Sequence, residues 1–227
     1  MDNYNEEQFK IDFPKTEIGK KLLAETPTWM TVSYSPVDYH HYISYSPIKY
    51  HHAPRTPRET LLTLHVAPFF YILKLLEKSP KVLADIGCGI NFFKNFIPEI
   101  VGIEPTDYPG VDEVAFFNDA YSNAHTNSFD CAMAINSIHF ISLNDISNQL
   151  RSFSNIIKPG GRGFITLNAK RMIEHTEDFV LDNQLSSHIK QQVDQALPNV
   201  LAYDDYIQTE LDEAMNGNIR VVFEKEK

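Results

Sequence analysis

Two glycines close behind an aspartate, in the stretch Val82 to Phe93, have the types and spacing to bind a ligand. Gly87 and Gly89 allow a sharp backbone turn and the close approach of a ligand that a Cβ would push away. Asp85 would repel a phosphate but attract an ammonium group. The stretch lacks the Gly-Lys-Ser/Thr of a phosphate loop, and Phe92 stands where a dinucleotide fingerprint has its third glycine. It therefore favours a ligand with a cationic or amine end.

A second acidic residue, Glu104, follows the next apolar run of the chain. An acidic side chain at the end of a strand can accept two hydrogen bonds from a ribose diol. A nucleoside with an amine and free hydroxyls but no phosphate describes S-adenosylmethionine. We therefore expect S-adenosylmethionine as the cofactor and S-adenosylhomocysteine as its product.

Alternating helix and strand patterns predict an α/β sheet that places these residues at strand ends. A capping pattern at Thr56 to Glu59 predicts a helix that runs to about Lys78 with a kink at Pro68. Further helices are expected at 91–96, 144–157 and 187–197, with a turn at 158–161. Strands are expected at 81–86, 100–104, 114–117, 129–136, 162–167, 199–203 and 218–224. In such a sheet, ligands bind beyond the carboxyl ends of the strands.

Six short motifs, in the same order, resemble those of class I S-adenosylmethionine-dependent methyltransferases. They are Asp85-Ile-Gly-Cys-Gly89, Val101-Gly-Ile-Glu104, Asn118-Asp-Ala120, Ser128-Phe-Asp130, Asn136-Ser-Ile-His139 and Lys158-Pro-Gly-Gly161. The resemblance covers about residues 80–170. It implies a doubly wound, mostly parallel, seven-stranded sheet with helices on both faces. The last strand of that fold is antiparallel, and residues 218–224 fit it.

The resemblance also implies cofactor-binding roles at the ends of the first two strands. Gly87 and Gly89 would lie against the methionine part of the cofactor, with Asp85 close to its amino group. Glu104 would hold the ribose hydroxyls, and Pro105 would pack on the adenine face.

Later segments receive roles from the same resemblance. Asp119 would accept a hydrogen bond from the adenine amino group, and the backbone N–H of Ala120 would meet the ring. Asn136 would line the methionine and transfer region. His139 is our candidate general base, although a packed histidine is an equal interpretation. The family often has glycine where this chain has Asn91, a residue type that tolerates left-handed backbone.

Residues 1–56 differ in character from the methyltransferase domain expected over 57–227. Tyr34-Ser-Pro-Val-Asp-Tyr-His-His41 recurs as Tyr45-Ser-Pro-Ile-Lys-Tyr-His-His52, eleven residues later. Prolines in both copies disfavour a helix interior. We interpret this N-terminal extension as a lid over the substrate, with a surface segment, a partner contact or, less favoured, a metal site as alternatives. Three of its residues compete with His139 as the base: Tyr39, His40 and Tyr50.

Composition and charge restrict the partners. Twenty basic and thirty acidic residues give a net charge of −10, which disfavours nucleic acid. After the fourth strand, the chain has Asn136-Ser-Ile-His139 rather than the Asn/Asp-Pro-Pro-aromatic stretch common in enzymes that methylate base amino groups. We expect a small-molecule or carrier-bound acceptor and no resident metal. A polar, acidic N-terminus, the lack of a transmembrane-length apolar run and two cysteines in apolar segments predict a soluble, cytoplasmic protein.

The resemblance implies methyl transfer by in-line displacement at the sulfonium. Two alternatives stay open: a binding or scaffold subunit that has lost turnover, and another transfer from the same nucleoside, such as aminopropyl transfer. The latter would require acidic residues for a polyamine, and Asp107 and Asp112 are the candidates.

Overall fold

The structure is a computed structural model that describes residues 12, 15–17, 19–20, 67–89, 91–108, 110–135, 137–138, 145–168, 185–197, 199–205 and 218–227. The chain divides into two compact units, Met1–Phe70 and Tyr71–Lys227. In the first unit, exposed ion pairs join Lys15 to Asp12 and Lys20 to Glu17. The expected lid, its repeat and the expected domain boundary at residue 56 lie outside the described residues.

The second unit contains one seven-stranded sheet. Its strands are β1 (Leu83–Ile86), β2 (Ile100–Glu104), β3 (Glu113–Val114), β4 (Phe129–Ile135), β5 (Ile157–Asn168), β6 (Val200–Asp205) and β7 (Asn218–Glu224). They lie in the order β3-β2-β1-β4-β5-β7-β6. The pairs from β3 to β5 are parallel, whereas β7 runs antiparallel to both β5 and β6. The predicted antiparallel last strand is confirmed, and the sheet is mixed.

Helices lie on both faces of this sheet. They are α1 (Ala67–Leu76), a 3-10 helix (Phe92–Asn95), α2 (Asp119–Ala124), α3 (Ile146–Ile156) and α4 (Leu185–Ala196). On one face, Tyr71 of α1 stacks on Phe164 with ring centroids 5.1 Å apart. On the other, Phe153 of α3 meets Phe223 of β7 edge-on at 6.1 Å. Among the helices in the described ranges, none has the length and apolar character needed to cross a membrane.

The segment 158–161 differs from the expected turn, because it lies inside β5 as an irregular part of that strand. The β4–β5 register shifts there, and Gly160 has the left-handed φ of 77°. The N–H of Gly160 donates to Lys225 O, and the N–H of Lys225 donates to Gly161 O, each at 2.9 Å. Since the chain after β7 pairs with the irregular segment, the strand continues through the Pro-Gly-Gly sequence.

Candidate functional site

The glycine loop after β1 lies across the end of β2. Residues Asp85 and Gly102 are paired in the parallel register, so both strands end at the same edge of the sheet. The N–H of Gly87 donates to Ile103 O at 2.8 Å. Gly87 and Gly89 have φ values of 69° and 55°, in the left-handed region that favours glycine. The backbone therefore confirms the expectation that glycine is needed at both positions of this bend.

The two acidic residues of the site lie beside this loop. The N–H of Gly89 donates to Glu104 Oε2 at 3.0 Å, so the Glu104 carboxylate faces the loop. Asp85 is only 3% exposed. Burial, and then the neighbouring charge of Glu104, raise the pKa of Asp85 to about 8. The site is therefore rich in acceptors, and an ammonium group beside Asp85 would favour its ionised form.

Cys88 lies in the same loop and is partly buried. Burial raises the pKa of its thiol to about 12, and the carboxylates of Asp85 and Glu104 add to the shift. A thiol that keeps its proton at neutral pH is a poor nucleophile. The chemistry of the site therefore does not include Cys88 as an attacking group.

A polar network missed by the sequence analysis holds the far end of the loop. Asn91 is buried in left-handed conformation, and its Nδ2 donates to Gly110 O at 2.8 Å and to Asp112 Oδ2 at 3.0 Å. The N–H of Gly102 also donates to Asp112 Oδ2, at 2.9 Å. Lys94 forms an ion pair with Asp112 Oδ1. The one signal of this network in the sequence was Gly102, a glycine within the apolar strand β2. The Asn91 amide lies where a Cβ at Gly102 would be.

Asp119 and Ala120 form the first turn of α2, a helix that the sequence analysis did not predict. Asn118 caps this helix, since its Oδ1 accepts a hydrogen bond from the N–H of Tyr121 at 2.9 Å. The carboxylate of Asp119 is exposed and accepts a hydrogen bond from the Ser152 hydroxyl at 2.7 Å. Asp119 is therefore part of a helix and is hydrogen-bonded to α3, whereas the sequence indicated a polar loop.

The remaining predicted site residues are only partly described. Pro105 is exposed directly after Glu104. Asn136 and His139 lie outside the described residues, but Ser137 between them donates a hydrogen bond to Ile86 O. A Cβ at Gly87 would overlap the Cβ of Ser137, so the end of β4 closes on the glycine loop. No group of three or more potential metal ligands occurs in the described ranges.

Three solved structures illustrate what the chain is similar to. The PH0226 protein from Pyrococcus horikoshii OT3 has a TM-score of 0.51 at 12% identity, covering 83% of this chain and 99% of that one. A putative hemolysin from Streptococcus thermophilus has a TM-score of 0.51 at 14% identity, covering 80% and 70%. The N-methyltransferase NodS from Bradyrhizobium japonicum WM9, in complex with S-adenosyl-L-homocysteine, has a TM-score of 0.49 at 12% identity, covering 70% and 86%. No protein-family model matches the sequence, and no curated protein sequence matches it significantly.

At these identities, structural similarity shows the fold alone. The seven-stranded sheet with its antiparallel β7 is also the arrangement implied by the sequence motifs. The described part of the chain therefore has the α/β fold that its resemblance to class I S-adenosylmethionine-dependent methyltransferases implies.

Proposed function

We propose that the chain binds S-adenosylmethionine beyond β1 and β2 and transfers its methyl group to a small-molecule or carrier-bound acceptor. One observation carries the proposal: two carboxylates, Asp85 and Glu104, flank a loop with two left-handed glycines. A phosphate placed over this loop would meet the negative charge of Glu104 and would oppose the ionisation of Asp85, whereas an amine would favour that ionisation and a ribose diol would meet the acceptors of Glu104.

The residues of the loop fit the two ends of such a nucleoside. Asp85 accepts from the amino group, directly or through water, and the left-handed backbone at Gly87 and Gly89 permits close contact with the methionine part. Glu104 accepts from the ribose hydroxyls, and it is already oriented towards the loop by the N–H of Gly89. Pro105, exposed just beyond, packs on the adenine face.

Residues of the next two strand ends complete the proposed site. The N–H of Ala120 meets the adenine ring, and Asp119 accepts from its amino group with the oxygen that the Ser152 hydroxyl does not occupy. Asn136 lines the methionine and transfer region. We propose His139 as the group that removes a proton when the acceptor is a hydroxyl or an amine.

The cofactor supplies an activated methyl group, so the main task of the chain is alignment. Holding the acceptor in line and excluding water can lower a barrier by about 7–11 kcal/mol when fully realised. The extension over residues 1–56 is our proposed cover for the acceptor. Aminopropyl transfer is less favoured, because Asp112, one of its two candidate polyamine ligands, is already bonded to Lys94, Asn91 and the Gly102 N–H.

Isothermal titration of the purified full chain with S-adenosylhomocysteine tests the binding half of this proposal. Glu104→Gln removes the charge that receives the ribose and should weaken binding by about 10- to 100-fold. Glu99→Gln removes the same charge from an exposed position at the opposite end of β2, and should bind as the wild type does. Equal affinity of both variants, or no binding by the wild type, contradicts the proposed site.

Turnover is tested separately by incubating the chain and S-adenosylmethionine with a small-molecule fraction and, in a second reaction, with a carrier-protein fraction of cell extract. Mass spectrometry should detect the demethylated nucleoside and one extract component heavier by the mass of CH2, because a methyl group replaces a hydrogen of the acceptor. Omission of the protein and use of Glu104→Gln are the two controls. Binding without any product in fractions of small molecules and carrier proteins would support the scaffold alternative.

A further inference from the structure

We propose that Asn91 is a positioning residue of the cofactor site: it clasps the glycine loop to the segment after β2 and so fixes Gly89 relative to Glu104. The inference rests on the proposed function, and it assigns to Asn91 a role that a glycine at this position would not have. We call the group Asn91, Gly102, Gly110 and Asp112 the clasp.

The clasp joins two segments that the sequence separates by about twenty residues. Both bonds of the Asn91 amide go to the chain after β2, at Gly110 O and Asp112 Oδ2, at 2.8 and 3.0 Å. The N–H of Asn91 donates to Cys88 O at 2.9 Å and closes the loop upon itself. The glycine loop therefore cannot move away from the segment after β2 without breaking both of these partly buried hydrogen bonds.

Gly102 provides the space in which the clasp is built. A Cβ at Gly102 would overlap the Asn91 amide and the Cys88 Sγ. The N–H of Gly102 donates to the same Asp112 oxygen that receives the Asn91 amide. Gly102 lies two residues before Glu104, and Asn91 lies two residues after Gly89. The clasp is thus adjacent in the chain to both partners of the Gly89–Glu104 hydrogen bond.

The acceptor of the clasp is charged. Burial raises the pKa of Asp112, but hydrogen bonds from Lys94 and the N–H of Gly102 outweigh that effect and leave the pKa below its usual value. The Lys94 ion pair is formed from the 3-10 helix that follows Asn91 directly. Hydrogen bonds to an ionised carboxylate are stronger than those between neutral groups. The loop, the 3-10 helix and the segment after β2 therefore share one anionic centre.

The backbone conformation alone does not explain an asparagine here. Glycine adopts the φ of 56° found at Asn91 more readily than asparagine does. The Oδ1 of Asn91 is buried and has no hydrogen-bond partner among the described residues, which is unfavourable and which glycine would avoid. The amide is therefore explained by the two bonds of its Nδ2. A ligand that touches Gly89 and Glu104 together binds better when their separation is already fixed.

The test uses variants of the full chain with S-adenosylhomocysteine as the probe. Asn91→Gly keeps a residue suited to the backbone but removes the amide, and Asn91→Asp replaces its donor by a second carboxylate facing Asp112. Each should raise the Kd by about tenfold, since each removes the two partly buried hydrogen bonds of the Asn91 amide. The double variant Asn91→Asp/Asp112→Asn exchanges donor and acceptor between the two side chains but does not restore the bond to Gly110 O, so it should recover part of the affinity that Asn91→Asp loses. Asn123→Asp adds the same charge at an exposed position and should leave the Kd unchanged.

If Asn91 had a purely structural role, its substitution would lower the melting temperature without changing the Kd in the order expected above. The melting temperature and the Kd of each variant are therefore both measured, and each titration is made well below the melting temperature of that variant. A positioning role also predicts that the losses of binding free energy caused by Asn91→Gly and Glu104→Gln are less than additive in the double variant, because Asn91 acts on the ligand through Glu104. If the wild type binds and the folded variants Asn91→Gly and Asn91→Asp have the same Kd as the wild type, the inference about Asn91 is wrong and the proposed function is not affected. A wild type that binds no nucleoside overturns the proposed function and this inference with it.

Discussion

Asp85 is a carboxyl group almost removed from water, at the end of a buried strand and next to a second acid. Transfer of a charged carboxylate from water into such a place is unfavourable unless a cation or donors compensate for it. With a pKa of about 8, Asp85 retains its proton at neutral pH in the ligand-free chain. The arrival of an ammonium group reverses this preference. Binding of an amine should therefore be coupled to loss of a proton.

This coupling predicts a pH dependence of cofactor affinity. Below the raised pKa, the free chain holds a proton on Asp85 that the amine-bound form releases. Affinity for S-adenosylhomocysteine should therefore rise as the pH increases from about 6 to 8, by at most about tenfold per unit, and level off near the raised pKa. Titration calorimetry in two buffers of different ionisation enthalpy measures the proton released on binding.

Asp85→Asn provides the decisive comparison, because an amide has no proton to release. Its affinity should be lower than that of the wild type and nearly independent of pH over this range. Asp107→Asn, at an exposed position after β2, serves as the charge control and should retain the wild-type slope. Tight wild-type binding without proton release would contradict the ionisation of Asp85 by the ligand.

At the scale of single residues, the sequence predicted that Asp85 and Glu104 lie together at one edge of the sheet but did not predict the clasp. Asp85 and Glu104 could be recognised because each follows an apolar run that must end at the same edge of a parallel sheet. The bond between Asn91 and Asp112 spans 21 residues of sequence and depends on where the chain turns after β2. Asp112 was even interpreted as a candidate polyamine ligand. No local pattern distinguishes a surface aspartate from one that receives a buried amide.

The C-terminal end of α3 shows how a single side chain can complete an element. The last carbonyls of a helix lack partners within the helix and carry a partial negative charge. The Nζ of Lys225 donates to Ile157 O at 2.8 Å, to Asn155 O at 3.2 Å and to Asn127 Oδ1 at 2.8 Å. Lys225 therefore connects the end of α3, the turn before β4 and the chain after β7.

Removal of this ammonium group should destabilise the fold without affecting the site. Lys225→Met keeps most of the aliphatic length and should lower the free energy of unfolding by about 1–2 kcal/mol, from the lost hydrogen bonds and helix-end charge. Urea denaturation followed by circular dichroism measures the change. Lys227→Met, at an exposed position two residues on, should change the stability by less than about 0.5 kcal/mol. Similar values for both variants would show that Lys225 does not hold the helix end.

Most strands were predicted within two residues of their observed bounds, because buried apolar runs are long and punctuated by polar segments. The failures have local causes. Helix α2 has only six residues, and its capping residue, Asn118, belongs to a motif that also suits a loop. At 158–161, Pro-Gly-Gly is typical of a turn, but pairing with Lys225 from the other end of the chain keeps the segment in the strand. Long-range pairing of this kind is invisible to a local pattern.

At the scale of the whole molecule, the net charge and the position of the two acids at the sheet edge both disfavour ligands that carry phosphate. A net charge of −10 opposes the approach of polyphosphates, an effect that salt screens at long range. At the glycine loop, the Glu104 carboxylate continues this opposition at short range, and a phosphate would also oppose the ionisation of Asp85 beside it. The sheet order gives the fold, while the two acids are the basis of the proposed preference for a nucleoside that carries an amine. A phosphate-bearing nucleotide is therefore disfavoured by a short-range interaction that salt does not remove.

Ligand-induced stabilisation of the full chain tests this selection. A ligand at one hundred times its Kd adds about 2.7 kcal/mol to the stability of the folded state, which corresponds to a rise in melting temperature of about 5–10 °C. S-adenosylhomocysteine should produce this rise at both low and high salt, since its amine is bound at short range. ATP and NAD at the same concentration should produce none at either salt concentration, and Glu104→Gln should show a smaller rise with S-adenosylhomocysteine. A rise with ATP or NAD that exceeds the rise with S-adenosylhomocysteine would mean that the glycine loop receives phosphate, and the acidic pair would then need another explanation.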